Sequence, residues 1–127
     1  MTPIANAGAY FEIPVLDLER AMQFYQKVFQ VDFQKMTVDG YEMALFPFQE
    51  NCPGITGALA KGDVYQPSKE GTLIYLRSFD IDKTLASVTA NGGEILYPKT
   101  SNGDWGFVAE FQDSEGNRVG LHEPCLL

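Results

Sequence analysis

The chain has 127 residues, of which 45% are hydrophobic, and this length fits one compact domain with a real core rather than two large domains. Nine lysines and arginines against seventeen aspartates and glutamates give a formal net charge of -8, which repels nucleic-acid phosphates and anionic lipid. We therefore expect neither nucleic acid nor a membrane as a partner. The same acidity suits a cationic small molecule, although solubility is the commoner reason for an acidic surface.

The cysteines and the N-terminus indicate the compartment. Cys52 and Cys125 are too few and too far apart in sequence for a metal cluster or a disulfide framework. The residues from Met1 to Asn6 contain no basic region followed by an apolar core, and no apolar run approaches the roughly 20 residues of a membrane helix. We expect reduced thiols and a cytoplasmic protein.

The first half of the chain combines one helix signal with several strand signals. Ala9 to Val15 is rich in β-forming residues and precedes Asp17, a favourable N-cap. Apolar residues then recur at helical spacing and predict an α-helix from about Leu18 to Phe29. Two turn signals, Asp39-Gly40 and Asn51 to Gly54, divide the next stretch into three β-like segments. These segments are Asp32 to Val38, Tyr41 to Phe48 and Ile55 to Lys61.

The second half repeats this βαβββ order after a polar linker, Gly62 to Gly71. Thr72 to Arg77 is predicted as a strand, Asp80 as a helix cap, and the following helix ends at Gly92-Gly93. The helix face consists of Ile81, Leu85 and Val88, and the last three predicted strands are Glu94 to Tyr97, Trp105 to Phe111 and Arg118 to His122.

A constant spacing relates the two halves. Asp17 and Asp80 lie 63 positions apart, and the same offset superposes Met22 on Leu85. A repeat of this size that carries one supersecondary unit indicates two stacked copies. The alternative is chance similarity between two stretches that each contain a helix and strands.

Two segments carry a family resemblance. Residues 11–25 read Phe-Glu-Ile-Pro-Val-x-Asp-Leu-Glu-Arg-Ala-x-x-Phe-Tyr, and residues 113–121 read Asp-Ser-Glu-Gly-Asn-Arg-Val-Gly-Leu. They resemble the opening and closing signatures of the vicinal oxygen chelate superfamily of glyoxalases, bleomycin-resistance proteins and extradiol dioxygenases. The resemblance covers nearly the whole chain. It implies an α+β fold in which two βαβββ modules, about 8–61 and 72–123 with a linker at 62–71, form a half-open eight-stranded mixed β cup with the helices outside. It also implies a homodimer.

Enzymes of that superfamily hold a divalent metal in the cup through His, Glu or Gln, and the resemblance maps four ligand positions onto this chain. These positions are Tyr10, Gly57, Leu73 and Gly120. A divalent metal needs several nitrogen or oxygen donors, and a phenol, a leucine and two glycines do not supply them. We therefore expect no metal and no other cofactor, which counts against metal-dependent lyase, isomerase and dioxygenase activities.

The residues two positions along each strand should share the cup, because side chains alternate between the faces of a strand. This rule adds Glu12, Tyr75, Leu59 and His122. Trp105 and Phe107, together with Tyr75, are expected to wall an apolar pocket; the alternative is that the aromatic stripe on this strand belongs to the core. The predicted ligand-binding set is Tyr10, Glu12, Gly57, Leu59, Leu73, Tyr75, Trp105, Phe107, Gly120 and His122.

Three functions follow as hypotheses. The first is a metal-independent protein that binds an apolar, aromatic small molecule, which can carry a positive charge, in the cup. The second is a lyase-like or isomerase-like enzyme in which Glu12 is the base, His122 the acid or electrostatic partner, and Tyr75 orients a carbonyl substrate. The third is a dimeric interaction module whose cup is filled by its own side chains. Structural roles, as a hydrogen-bond acceptor for Glu12 and as a core or rim residue for His122, remain open.

Overall fold

The computed structural model describes residues 6–125. Residues 1–5, on which the expectation of a cytoplasmic protein partly rests, lie outside this range. Within it, the chain forms two α-helices and eight strands in the βαβββ order twice, which confirms the predicted α+β class. No helix of this part of the chain is long and apolar enough to cross a membrane.

The elements follow the predicted order closely. Module 1 contains β1 (Phe11–Val15), α1 (Leu18–Phe29), β2 (Gln34–Val38), β3 (Tyr41–Leu45) and β4 (Gly57–Lys61). Module 2 contains β5 (Tyr75–Arg77), α2 (Ile81–Ala90), β6 (Glu94–Ser101), β7 (Phe107–Gln112) and β8 (Arg118–Glu123). The bounds of α1 are those predicted from the sequence. Trp105 is not in β7, where it was expected, but in a 3-10 turn that precedes it.

Each module forms a four-stranded mixed sheet with the same topology. The strand order is β1-β4-β3-β2 in the first sheet and β5-β8-β7-β6 in the second. In both sheets the first and last strands of the module pair in parallel, and the remaining pairs are antiparallel. The sequence repeat is therefore a repeat of structure.

The two predicted N-caps start the helices. The Asp17 carboxylate accepts a hydrogen bond from the amide of Arg20 at 3.0 Å, and the Asp80 carboxylate accepts one from the amide of Lys83 at 3.2 Å. Each bond satisfies an amide that the first turn of a helix leaves without a partner.

One hydrophobic core is shared by the two modules. It joins Ile13 and Leu59 of the first sheet to Phe111 and Leu121 of the second through α1 and α2. Both sheets therefore use one face for this core. We call the opposite faces cup face 1, which carries Glu12, Met43, Ala58 and Ala60, and cup face 2, which carries Tyr75, Arg77, Gly120 and His122.

The turn between β7 and β8 holds the modules together through a buried polar network. Glu115 accepts hydrogen bonds from the amides of Leu16 and Asp17 at 2.8 and 2.9 Å, and its carboxylate lies 2.7 Å from Arg20 Nε. Burial raises the pKa of Glu115, but the bonds from Arg20, the two amides and a neighbouring serine outweigh burial and lower the pKa to about 2. Asn117 donates from its side chain to the carbonyl of Pro14 at 2.8 Å.

Candidate functional site

Cup face 2 contains a cavity of about 410 Å³, which falls within the size range of small-molecule sites. Most of its wall comes from β5, β7, β8 and the 3-10 turn. Its lining consists of Tyr75, Arg77, Asn102, Trp105, Val108 and His122.

The pairing of β5 with β8 sets the floor of this cavity. Tyr75 lies opposite Gly120, and Arg77 lies opposite His122. The ring of Tyr75 packs over Gly120, since a Cβ built on this glycine would lie 2.6 Å from the ring carbon Cδ1. Any side chain at position 120 would therefore collide with the Tyr75 ring in its present position.

Trp105 and His122 are neighbours in the lining of this cavity. The Trp105 side chain is 72% exposed, and its ring lies 5.7 Å from the His122 ring at an interplanar angle of 65°. Nε2 of His122 lies 2.7 Å from the Trp105 carbonyl oxygen. Because a carbonyl only accepts, Nε2 must carry the hydrogen, and Nδ1 is left for another partner.

The part of cup face 1 around Met43, Ala58 and Ala60 is covered by side chains of the chain itself. Met43, Ala58 and Ala60 are buried there beneath Tyr41, Leu45 and Tyr65. Tyr65, from the linker, donates its hydroxyl to one oxygen of Glu12 at 2.8 Å, and Tyr10 donates to the other oxygen at 3.1 Å. The bond to Glu12 raises the pKa of Tyr65 to about 12.

The predicted site residues therefore separate into two groups. Tyr75, Trp105, Gly120 and His122 come together on cup face 2, whereas Tyr10 and Glu12 belong to cup face 1. Within residues 6–125, no hydrogen bond or ion pair joins Glu12 to His122, and these two residues line different cavities. The structure thus shows no contact between the two members of the acid–base couple.

The sequence misplaced two residues of β4. Gly57 and Leu59 were expected in the cup, but Leu59 is fully buried in the main core and Gly57 lies opposite Phe11, which packs on the same core. The physical reason is register: Ala58, and not Gly57, pairs with Glu12. A Cβ on Gly57 would lie 2.1 Å from the Phe11 carbonyl oxygen, so close packing of β1 on β4 explains this glycine.

Phe107 was also expected in the pocket, but it packs against the main core, with Lys99 Nζ 4.6 Å from the centre of its ring. Gly106 separates it from Trp105 and has φ 111°, so the two-residue alternation of a strand does not extend across it. Val108 lines the cavity instead. Leu73 is half-buried and precedes β5, outside this lining.

Residues 9–121 match the model of the Glyoxalase/Bleomycin resistance protein/Dioxygenase superfamily. The chain belongs to this superfamily. A glyoxylase-like domain-containing protein of Didymella fabae is 34% identical to it over an alignment of 112 residues, and the alignment covers 84% of each of the two chains.

Solved structures of the superfamily show the same fold. An antibiotic binding protein of Streptomyces sp. CB03234, TnmS3, is 22% identical, with a TM-score of 0.67 over 98% of this chain and 100% of that one. The trypanothione-dependent glyoxalase I of Leishmania major is 20% identical, with a TM-score of 0.70 over 94% of this chain and 87% of that one. Glyoxalase I of Zea mays is 20% identical, with a TM-score of 0.63, and this chain spans 91% of its own length but only 45% of the maize chain.

The four positions to which the resemblance assigns metal ligands are Tyr10, Gly57, Leu73 and Gly120. In the observed register Ala58, and not Gly57, is the counterpart of Gly120, and Ala58 is fully buried under the side chains that pack on cup face 1. In the part of the chain that the structure describes, no three His, Cys, Asp or Glu side chains lie together as possible ligands. The residues at these positions do not fit a divalent metal.

Four residues of the two cup faces were missed from the sequence. Strand alternation could have indicated Arg77 and Val108, since Arg77 lies two residues after Tyr75 and Val108 pairs with His122. Asn102 and Tyr65 lie in loops without periodicity, so no sequence pattern indicated them.

Proposed function

We propose that this chain binds a small aromatic molecule in the cavity of cup face 2, and that it does so without a metal ion. One observation carries the proposal: Tyr75 and Trp105 present exposed rings beside His122 around a cavity of about 410 Å³. Aromatic walls with a few polar groups are typical of small-molecule sites. The lack of donors at the superfamily's metal positions supports binding that is independent of metal.

The relatives give this proposal only general support. TnmS3 is described as an antibiotic binding protein, which is consistent with a binding role on this fold. Other structural neighbours are glyoxalase I enzymes, and at these identities the likeness shows the fold alone. The proposal therefore depends on the cavity and not on a relative's activity.

The fluorescence of Trp105 tests the proposal directly, because it is the only tryptophan of the chain. We expect 3-phenylpropanol, 3-phenylpropionate or 3-phenylpropylammonium to change this fluorescence saturably, with the same affinity in EDTA and after addition of Zn²⁺, Ni²⁺ or Mn²⁺. In calorimetry, Trp105→Ala should weaken binding about tenfold or more, since a large aromatic anchor is lost. Phe48→Ala is the control, because Phe48 is an exposed aromatic residue outside the cavity lining. Failure of all three compounds to bind, or binding that requires a metal, would refute the proposal.

We further propose that the chain forms a homodimer through the β2 edge. All five residues of β2 are exposed, and they include Met36 and Val38. β2 is an edge strand, and its unpaired backbone groups beside the exposed apolar side chains of Met36 and Val38 favour pairing with another chain.

Sedimentation velocity checks this assembly. We expect a dimer that the double variant Met36→Lys, Val38→Lys converts to monomer. Val64→Lys, at an exposed apolar position in the linker, should leave the dimer intact. A monomer in the unmodified protein, or a dimer that survives the double substitution, would contradict the proposal.

A further inference from the structure

We infer that the aromatic ligand of cup face 2 carries an anionic group, a carboxylate or a similar oxyanion, and that Arg77 binds it. The inference rests on the proposed function, since it specifies the ligand class of the same cavity. It assigns Arg77 a role in recognition that the acidic net charge of the chain does not suggest.

Arg77 differs from the other two arginines in its partners. Arg20 is ion-paired with Glu115, and Arg118 is ion-paired with Glu110. Arg77 has no carboxylate within ion-pair distance among residues 6–125, although the chain contains seventeen acidic residues. Its Nη2 lies close to Gly54 in the loop before β4, since a Cβ built on this glycine would be 3.2 Å away. The guanidinium donors are therefore at the border of the cavity without a carboxylate partner, and their planar arrangement matches a carboxylate.

The backbone places Arg77 where an aromatic ligand could reach it. Arg77 lies on the same face of β5 as Tyr75 and directly opposite His122 on β8. Residues two apart on a strand are about 7 Å apart, and neighbouring strands are about 5 Å apart. A ring that packs on Tyr75 or Trp105 and carries its charge on a short arm would span this distance.

The acidic residues near the cavity do not cancel this positive charge. Glu110 lies on the same sheet face but is paired with Arg118. Glu123 accepts from the amide of Ile81 at 2.7 Å and lies 3.8 Å from Lys99 Nζ. Asp104, in the turn beside Trp105, is exposed and makes no ion pair with Arg77.

The charge of the cavity lining, and not the net charge of the chain, should decide which charge the ligand carries. The net charge of -8 acts through solvent and is screened by salt, whereas Arg77 is a residue of the cavity lining and its positive charge acts over a short distance. The sequence alone suggested a ligand that can be cationic. The side chains of the cavity favour the opposite sign.

Three probes with the same phenylpropyl body test the inference: 3-phenylpropionate, 3-phenylpropanol and 3-phenylpropylammonium. Calorimetry on the full chain should rank the carboxylate first, about tenfold or more above the alcohol, with the ammonium weakest. Arg77→Gln should lower the affinity for the carboxylate by about tenfold and leave that for the alcohol unchanged. Lys69→Gln also removes one positive charge, but from an exposed linker residue outside the cavity lining, and should change neither affinity.

The outcomes separate the inference from the proposed function. If the alcohol or the ammonium binds as well as the carboxylate and perturbs Trp105, the aromatic site stands and the anionic preference is wrong. The preference is also overturned if Arg77→Gln has no effect on carboxylate binding while circular dichroism shows a folded variant. If no probe binds and none changes the fluorescence of Trp105, the proposed function itself fails.

Discussion

Replacing Asp113 by alanine is expected to lower the free energy of unfolding by about 3 to 5 kcal/mol, because it leaves several buried donors without an acceptor. Asp113 is 2% exposed and accepts the hydroxyl of Tyr25 at 2.6 Å. It also accepts the amides of Glu115 and Asn117 at 2.8 and 2.9 Å and the side-chain amide of Asn117 at 3.0 Å. Burial, and then the Asp113 carboxylate, raise the pKa of Tyr25 well above its usual value, so this hydroxyl stays a donor.

Urea unfolding at neutral pH measures the effect of Asp113→Ala. Asp104→Ala, at an exposed position in the turn before β7, serves as the matched control and should unfold like the unmodified protein. Tyr25→Phe should lower the free energy of unfolding less than Asp113→Ala does, since it removes only one of the four hydrogen bonds to this carboxylate. A loss below about 1 kcal/mol for Asp113→Ala would show that the turn does not stabilise the fold as inferred.

Glu115→Gln is expected to destabilise the protein by about 2 to 3 kcal/mol at neutral pH. The side chain of Glu115 is fully buried, and its pKa falls from 4.5 to about 2 in the folded protein. Since Arg20 is 52% exposed, solvent screening reduces the value of this ion pair. Thermal or urea unfolding gives the difference, and Glu70→Gln, at an exposed linker position, provides the control.

The same substitution should change how stability depends on pH. A carboxyl whose folded pKa is depressed stabilises fully above its unfolded pKa and loses that contribution as the pH falls through the folded pKa. The unmodified protein should therefore lose this contribution between about pH 5 and pH 2, and Glu115→Gln should show a smaller loss over that interval. Parallel pH profiles for the two proteins would contradict the assignment.

The fold could be predicted from the sequence because its signals are local. The N-cap Asp17 and the helical spacing after it predicted the observed bounds of α1, and the N-cap Asp80 predicted the start of α2. The five residues by which the predicted starts of β1 and β5 precede the observed ones, such as Tyr10 and Ile74, lie where pairing with a distant strand decides the end of a strand.

The site was predictable only in part, because register and loop conformation are not local. The repeat offset holds between Glu12 and Tyr75 but is one residue shorter between Ala58 and Gly120, and this placed Gly57 and Leu59 on the wrong face. The positive φ of Gly106 separated Trp105 from Phe107, and the linker brought Tyr65 onto cup face 1. Alternation along β5, in contrast, contained enough information to indicate Arg77.

The polar turn between β7 and β8 also makes the start of module 1 depend on residues that are synthesised much later. Glu115 and Asn117 bind backbone groups of Leu16, Asp17 and Pro14 that precede them by about 100 residues. Contacts this distant in sequence close late and slow folding. During synthesis the first strand and helix therefore leave the ribosome before Glu115 and Asn117 exist, and in a nascent chain that stops before Asp113 the amides of Leu16 and Asp17 and the carbonyl of Pro14 lack these partners.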